Sequence, residues 1–511
     1  MGGPLHRISA KMSVLAVACA TLVTGLPAAA SAAPGPAVPT LDWKACAAPL
    51  EKFQCATAKV PLDYQRLDKG TTDLAVLRLP ATGKREGSLF LNPGGPGGSG
   101  VGFVPRMAAR YPDSIKAKYD LISFDPRGVG QSGQLKCWNT DRFVDEVDTS
   151  KSNPTHADLG RLLINSRDFD EDCVEYSGKL VDHVSTANVA RDMDLLRQAV
   201  GDKQLSYHGY SYGTYLGATY AAMFPKNVGR MILDGAVNPD DWANHTVEFS
   251  GRQITAMEEE LKTFFQWCSD RYSNGKCEFG KDKGGPAASF DNLVKQLRAQ
   301  PLTWEKDGKK GSLSSYELVA HAANGLYGRT AWSGFAKALH AVEQGDASVL
   351  GEFIDEGSLG LLNANTVIEC NDGTYPRSPA ALAKAIDDAT KNAPRLGKAV
   401  AYGPPATTEL SNAGPCSQWK AKANERFAGP FTAAGSNPIL VVGTTRDPAT
   451  PYGDSVALAK QLQNGHLLTM DGDGHTAFKR GAQCIDDASI AYFLDGTVPP
   501  AGLSCKQIIN D

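Results

Sequence analysis

The sequence predicts an α/β fold, a mostly parallel sheet with helices on both faces and a mainly helical segment inserted between two of its later strands. Three observations support this. Short β-forming runs recur with helical stretches between them. Several of the runs are almost continuously apolar, as strands buried on both faces tend to be. About 200 residues separate the run at 230–233 from the next one at 439–442, far more than the dozen or so that a parallel crossover needs. The 511-residue chain is 42% apolar and 21% charged, the composition of a folded globular protein. Its formal charge of −4 is too weak over this length to argue for nucleic acid or for stable association with an anionic membrane.

Taken from the N-terminus, His6, Arg7 and Lys11 precede an apolar run from Met12 to about Leu26, followed by Ala28, Ala29, Ala30, Ser31 and Ala32. A basic start, a short apolar stretch and an A-x-A arrangement read as an export signal over residues 1–33, so the mature chain is expected outside the cell. Strands are expected at 74–79, 88–91, 119–124, 205–208, 230–233, 439–442 and 467–470, each bounded by Gly, Pro, Asp or Asn. Thr186 can cap a helix running to about Val200, with Val189, Met193, Leu196 and Val200 on one core-facing side. Residues 137–185 are polar and Asp-rich and read as a surface excursion. Helical patterns at 254–268 and 378–393 fill part of the long insertion. The predicted organisation is therefore a sheet domain over 34–238 and 431–511, with a cap domain over 239–430.

Eleven cysteines minus Cys19 in the leader leave ten, an even number in an exported chain, which favours disulfides over metal binding. Pairing sequence neighbours joins Cys46 to Cys55, Cys137 to Cys173, Cys268 to Cys277, Cys370 to Cys416 and Cys484 to Cys505. That connectivity is one of many the sequence allows. No C-x-x-C or H-E-x-x-H occurs, so no metal is expected.

Chemistry enters at Gly209-Tyr210-Ser211-Tyr212-Gly213, a G-x-S-x-G sequence between a predicted strand and a predicted helix. A serine on such a turn is held in a strained conformation with its hydroxyl lifted off the sheet edge, the nucleophile position of the α/β-hydrolase fold. A hydroxyl needs a base within reach, and the base needs an orienting acid. Asp447 follows the run at 439–442, and His475 follows the last run in Asp471-Gly472-Asp473-Gly474-His475, which gives the order Ser, Asp, His that this fold requires. Asp454 and Asp471 are the alternative acids. The other eight histidines lie in the leader, inside strands or before Asp447. Two backbone donors must also meet the oxyanion. Tyr212 supplies one, and Gly95, within the glycine-rich run Asn92 to Gly100, is expected to supply the other. That run lacks the Gly-Lys-Ser/Thr ending of a phosphate loop.

Four segments together, Asn92-Pro93-Gly94-Gly95-Pro96-Gly97-Gly98-Ser99-Gly100, Asp125-Pro126-Arg127-Gly128-Val129-Gly130-Gln131-Ser132, Gly209-Tyr210-Ser211-Tyr212-Gly213-Thr214 and Arg446-Asp447-Pro448-Ala449-Thr450-Pro451, resemble the secreted tripeptidyl aminopeptidases of actinomycetes, relatives of prolyl aminopeptidases. The resemblance extends over nearly the whole mature chain, including Glu369-Cys370-Asn371-Asp372. It implies an exopeptidase that releases short peptides, tripeptides in the first place, from the free N-termini of peptides or proteins through an acyl-enzyme; no cofactor is expected, and the enzyme is expected to be a monomer. Such an enzyme needs a carboxylate for the substrate ammonium group. Glu369 and then Asp372 are the candidates, set against the alternative that both are solvated cap residues. Asp125 and Arg127 look like a structural turn. Asn92-Pro93 departs from the wider fold, where histidine is frequent. Release of single prolines, or ester hydrolysis by a carboxylesterase or lipase, would use the same three residues.

Overall fold

The computed structural model describes residues 1–3, 35–306, 308–350, 356–405, 409–420 and 425–509. Apart from its first three residues, the expected leader, with Cys19, lies outside them. The chain divides into Met1–Pro36 and Ala37–Asp511, and the sheet and the candidate site belong to the second unit.

Among the described residues ten strands form one sheet: β1 (Lys44–Ala45), β2 (Gln54–Pro61), β3 (Thr71–Leu79), β4 (Gly87–Asn92), β5 (Tyr119–Phe124), β6 (Leu205–Tyr210), β7 (Val228–Asp234), β10 (Ile439–Arg446), β11 (Gly465–Asp473) and β12 (Ser504–Lys506). The remaining two, β8 (Leu302–Lys306) and β9 (Lys309–Leu313), pair only with each other, as an antiparallel hairpin. Across the large sheet the order is β1-β2-β3-β5-β4-β6-β7-β10-β11-β12, with the first three pairings antiparallel and the rest parallel. The parallel centre is fully covered. Every residue of β5 is buried, as are all but two of β10, which explains why these runs carry no alternation in the sequence. Leu233, Ile439 and Val441 pack into one side and Leu91, Ile232 and Val442 into the other.

Each of the seven expected strands lies within an observed one. Between β7 and β10 the described chain is helical apart from the β8–β9 hairpin, and its longest element is the helix Thr246–Ser269. The helix expected from Thr186 begins there, but its cap is Ser185, whose side chain accepts from the Asn188 N–H. Thr186 is the first helical residue, and its hydroxyl is used elsewhere. The segment expected as a surface excursion contains the helices Thr140–Thr149 and Leu159–Ser177, with Phe143, Leu162 and Phe169 buried. All five neighbouring cysteine pairs are disulfide-bonded. No helix among the described residues is long and apolar enough to cross a membrane.

Candidate active site

The turn after β6 holds Ser211 at φ 58° and ψ −130°, a conformation that non-glycine residues rarely adopt. Two contacts impose it. The Ser211 N–H donates to the Asp234 carbonyl at 2.9 Å, tying the turn to the end of β7. The Ser211 carbonyl accepts from the Thr214 N–H at 2.8 Å and from Thr214 Oγ1 at 2.7 Å. The helix Tyr212–Met223 starts immediately after Ser211. As its first residue, Tyr212 has no carbonyl one turn back for its N–H to meet.

β10 and β11 bring Asp447 and His475 together. Both carboxylate oxygens of Asp447 lie 2.9 Å from His475 Nδ1. Asp447 is buried and also accepts from the N–H groups of Ala449 and Thr450, both at 2.9 Å, and from the Thr476 N–H at 3.2 Å. A carboxylate receiving this many donors is fixed in place, and its contact with Nδ1 sets the Nδ1–H tautomer of the imidazole. His475 Nε2 is then the basic nitrogen. It is buried and has no hydrogen-bond partner among the described residues. The imidazole packs against Gly235, where a β-carbon would stand 3.1 Å from Cε1. Gly235 follows the residue whose carbonyl holds Ser211, so the two side chains flank the same end of β7. The alternative acids are engaged elsewhere, Asp454 with Arg252 at 3.1 Å and Asp471 with Arg446 at 3.2 Å. His208 is buried within β6, bonded to Tyr111 Oη at 2.7 Å, and burial lowers its pKa to about 3.

The glycine-rich loop meets the serine at Gly94. A β-carbon there would lie 2.9 Å from Ser211 Cβ and 3.1 Å from the Tyr212 nitrogen, so only glycine brings the backbone of this loop so close. Asn92, the departure noted above, shapes the bend by accepting the Gly94 N–H on Oδ1 at 3.0 Å. Asp125 anchors the far end, accepting from Ser99 Oγ at 2.6 Å and from the Val101 N–H at 3.0 Å. Arg127 forms a buried, two-pronged pair with Asp192 and also donates to the carbonyls of Pro61, Leu62 and His183. Both residues hold turns and lie outside the reacting centre.

Several residues at this site escaped the sequence reading. Thr450 Oγ1 bridges Asp447 Oδ2 at 3.0 Å and His475 Nδ1 at 3.3 Å. The Tyr327 carbonyl accepts the His475 N–H at 2.8 Å, and its ring stands edge-on to the imidazole at 5.5 Å. Asp234, its carboxyl raised to about 6 by burial, accepts from the N–H groups of Ala477 and Phe478 at 2.9 Å each and so fixes the loop after the histidine. Nothing but tertiary contact marks these three out, although Thr450 stands in a segment already singled out.

Glu369 and Asp372 are both buried on the helix Glu356–Asp372, so neither is a solvated surface acid. Asp372 accepts from the Thr186 N–H at 2.9 Å and from Thr186 Oγ1 at 2.5 Å, and burial raises its carboxyl to about 7. It is thus occupied in starting another helix. Glu369 accepts from Asn412 Nδ2 at 2.8 Å.

Glu260 on the helix Thr246–Ser269 is a further buried acid beside this site. Burial, assisted by Asp473 and Asp447 and opposed by Arg446 and the Gly474 N–H, raises its carboxyl from 4.5 to about 9. A raised carboxyl stabilises the fold fully below the unfolded value, and that contribution is lost as pH climbs through the folded one. Between pH 7 and 9 the stability is expected to fall by up to about 1.4 kcal/mol per pH unit from this group. Melting curves across that range should show the slope, and Glu260→Gln should flatten it. An unchanged slope in the variant would contradict the assignment.

Two family models match the sequence, one described as alpha/beta hydrolase fold over residues 87–272 and one as TAP-like protein over residues 404–505. Serine protease Hip1 of Mycobacterium tuberculosis is 34% identical over 472 residues, 88% of this chain and 87% of that protein. Carboxylesterase B of the same organism is 35% identical over 493 residues, 91% of this chain and 90% of that protein. Tripeptidyl aminopeptidase of Streptomyces lividans is 31% identical over 487 residues, 91% of this chain and 86% of that protein.

Proposed function

Because the chain belongs to the α/β-hydrolase family of serine hydrolases that includes serine protease Hip1, carboxylesterase B and tripeptidyl aminopeptidase, we propose that it is a serine exopeptidase releasing tripeptides from free N-termini through an acyl-enzyme. Ser211 attacks the scissile carbonyl, and His475 Nε2 takes the hydroxyl proton and returns it to the departing amine. Asp447 holds the imidazole and stabilises its charged form. The N–H groups of Gly95 and Tyr212 receive the developing oxyanion. Water then repeats the attack on the acyl-enzyme with the same base.

The observation that carries the exopeptidase reading is a buried carboxylate, Glu369, on a helix that also touches the glycine-rich loop. There an ammonium group would find an acidic partner on the helix that meets this loop. Residues 239–430 are read as the cap that supplies it, and 273–403 of them lie between the two family matches. The basic, apolar, A-x-A start of the sequence and the five disulfides support secretion. The enzyme is read as a monomer.

The likeness to carboxylesterase B favours ester hydrolysis as the second reading. An Ala-Ala-Pro p-nitroanilide with a free N-terminus is expected to be cleaved at least 100-fold faster than its N-blocked form, about 3 kcal/mol for a buried charge pair that the blocked form lacks. Pro- and Ala-Pro- anilides should be slower than the tripeptide. Equal rates on free and blocked substrates would discard the aminopeptidase.

A further inference from the structure

A chain of buried amides joins Glu369 to the glycine-rich loop. Asn412 Nδ2 donates to Glu369 Oε2 at 2.8 Å and to Asn365 Oδ1 at 2.9 Å. Asn365 Nδ2 in turn donates to the Pro96 carbonyl at 3.3 Å. The orientation of the middle amide is fixed from its other end, where Asn412 Oδ1 accepts from Thr366 Oγ1 at 2.8 Å. Asn365, Thr366, Glu369 and Asn412 are all buried. Asn365 and Glu369 are four residues apart on the helix Glu356–Asp372 and therefore share one face.

The helix and the loop leave no slack between them. A β-carbon at Gly97 would stand 2.6 Å from the Leu361 carbonyl oxygen and 3.1 Å from the Asn365 nitrogen. Pro96 directly follows Gly95, so a pull on the Pro96 carbonyl turns the segment that presents the Gly95 N–H. Hydrogen bonds in a buried chain polarise one another, and a change of charge at one end alters the bonds further along. An ammonium group that shares the Glu369 carboxylate weakens its hold on Asn412, which strengthens the Asn412–Asn365 bond and, through it, the contact with Pro96.

Building on the assignment of Glu369 to the substrate ammonium group, we infer that Asn365 and Asn412 are positioning residues through which occupancy of Glu369 sets the oxyanion loop for attack. A free N-terminus then raises the rate of the chemical step as well as the affinity.

The test uses the full-length enzyme with free and N-blocked tripeptide p-nitroanilides. Asn365→Asp is nearly isosteric and still accepts from Asn412 but cannot donate to Pro96. Asn365→Ala is the second variant, in case the added buried carboxylate prevents folding. Each is expected to lower kcat on the free tripeptide about 10-fold, the scale of a sub-ångström misplacement, with KM within about twofold. Glu369→Gln is expected to lose the preference for the free N-terminus. Combined with Asn365→Asp it should cost no more in kcat than the more damaging single change, because both interrupt one chain. Additive losses, or Asn365 variants that raise KM at wild-type kcat, would overturn the relay while leaving the amine assignment in place. A Glu369→Gln enzyme that keeps its preference for free N-termini would overturn the amine assignment, and the relay with it.

Discussion

Ser211→Ala is expected to lower kcat on a free tripeptide p-nitroanilide on the order of 10⁶-fold, by analogy with other triads. In the proposed mechanism the oxygen removed is the atom that bonds to the acyl carbon, and no other hydroxyl is held in the turn between β6 and the helix Tyr212–Met223. Alanine occupies the same φ of 58° no less easily than serine, and the backbone contacts to Asp234 and Thr214 do not involve the lost atom. Substrate affinity and melting temperature should therefore stay near wild type. What remains, roughly 10³-fold above the uncatalysed reaction, is the share of the oxyanion donors and of substrate positioning. A loss smaller than about 100-fold would point to a different nucleophile.

The second large effect is Asp447→Asn, expected to lower kcat about 10⁴-fold at neutral pH. Asp447 accepts through both oxygens, from the Ala449, Thr450 and Thr476 N–H groups as well as from His475 Nδ1. An asparagine keeps one oxygen for the backbone donors and turns an NH₂ toward the imidazole. His475 then carries its proton on Nε2, the atom proposed to accept one from Ser211. The wild-type enzyme is expected to lose activity as pH falls, since only the neutral imidazole acts as base. Steady-state rates of wild type and variant across pH check both statements. Wild-type turnover in the Asn variant would remove Asp447 from the orienting role.

Much of this was legible in the sequence for a physical reason. A strand buried on both faces must be apolar throughout, so β5 and β10 announce themselves. Where the pattern failed, the burial differs. β2 alternates exposed Thr57 and Lys59 with buried Ala58 and Val60 and lies toward the antiparallel edge, while β12 has three residues. Thr186 and Ser185 are equally good caps by composition, and only the Asp372 carboxylate facing Thr186 decides between them. Ser211, Asp447 and His475 could be ordered because each follows a strand end. Thr450, Tyr327, Asn365 and Asn412 could not, since a hydroxyl, a backbone carbonyl and two amides gain their roles only when distant segments meet. The acids Glu369 and Asp372 stand three residues apart, yet one is taken up by a helix start and the other by an amide chain, a distinction the sequence does not hold.

The most direct measurement is to treat the native enzyme with a fluorophosphonate and map the adduct by peptide mass spectrometry. One phosphonyl group per chain, located on Ser211 and formed at least 100-fold more slowly in His475→Ala, is the expected result. An enzyme that cleaves the tripeptide substrate yet carries no adduct, or carries it on a residue other than Ser211, would contradict the account.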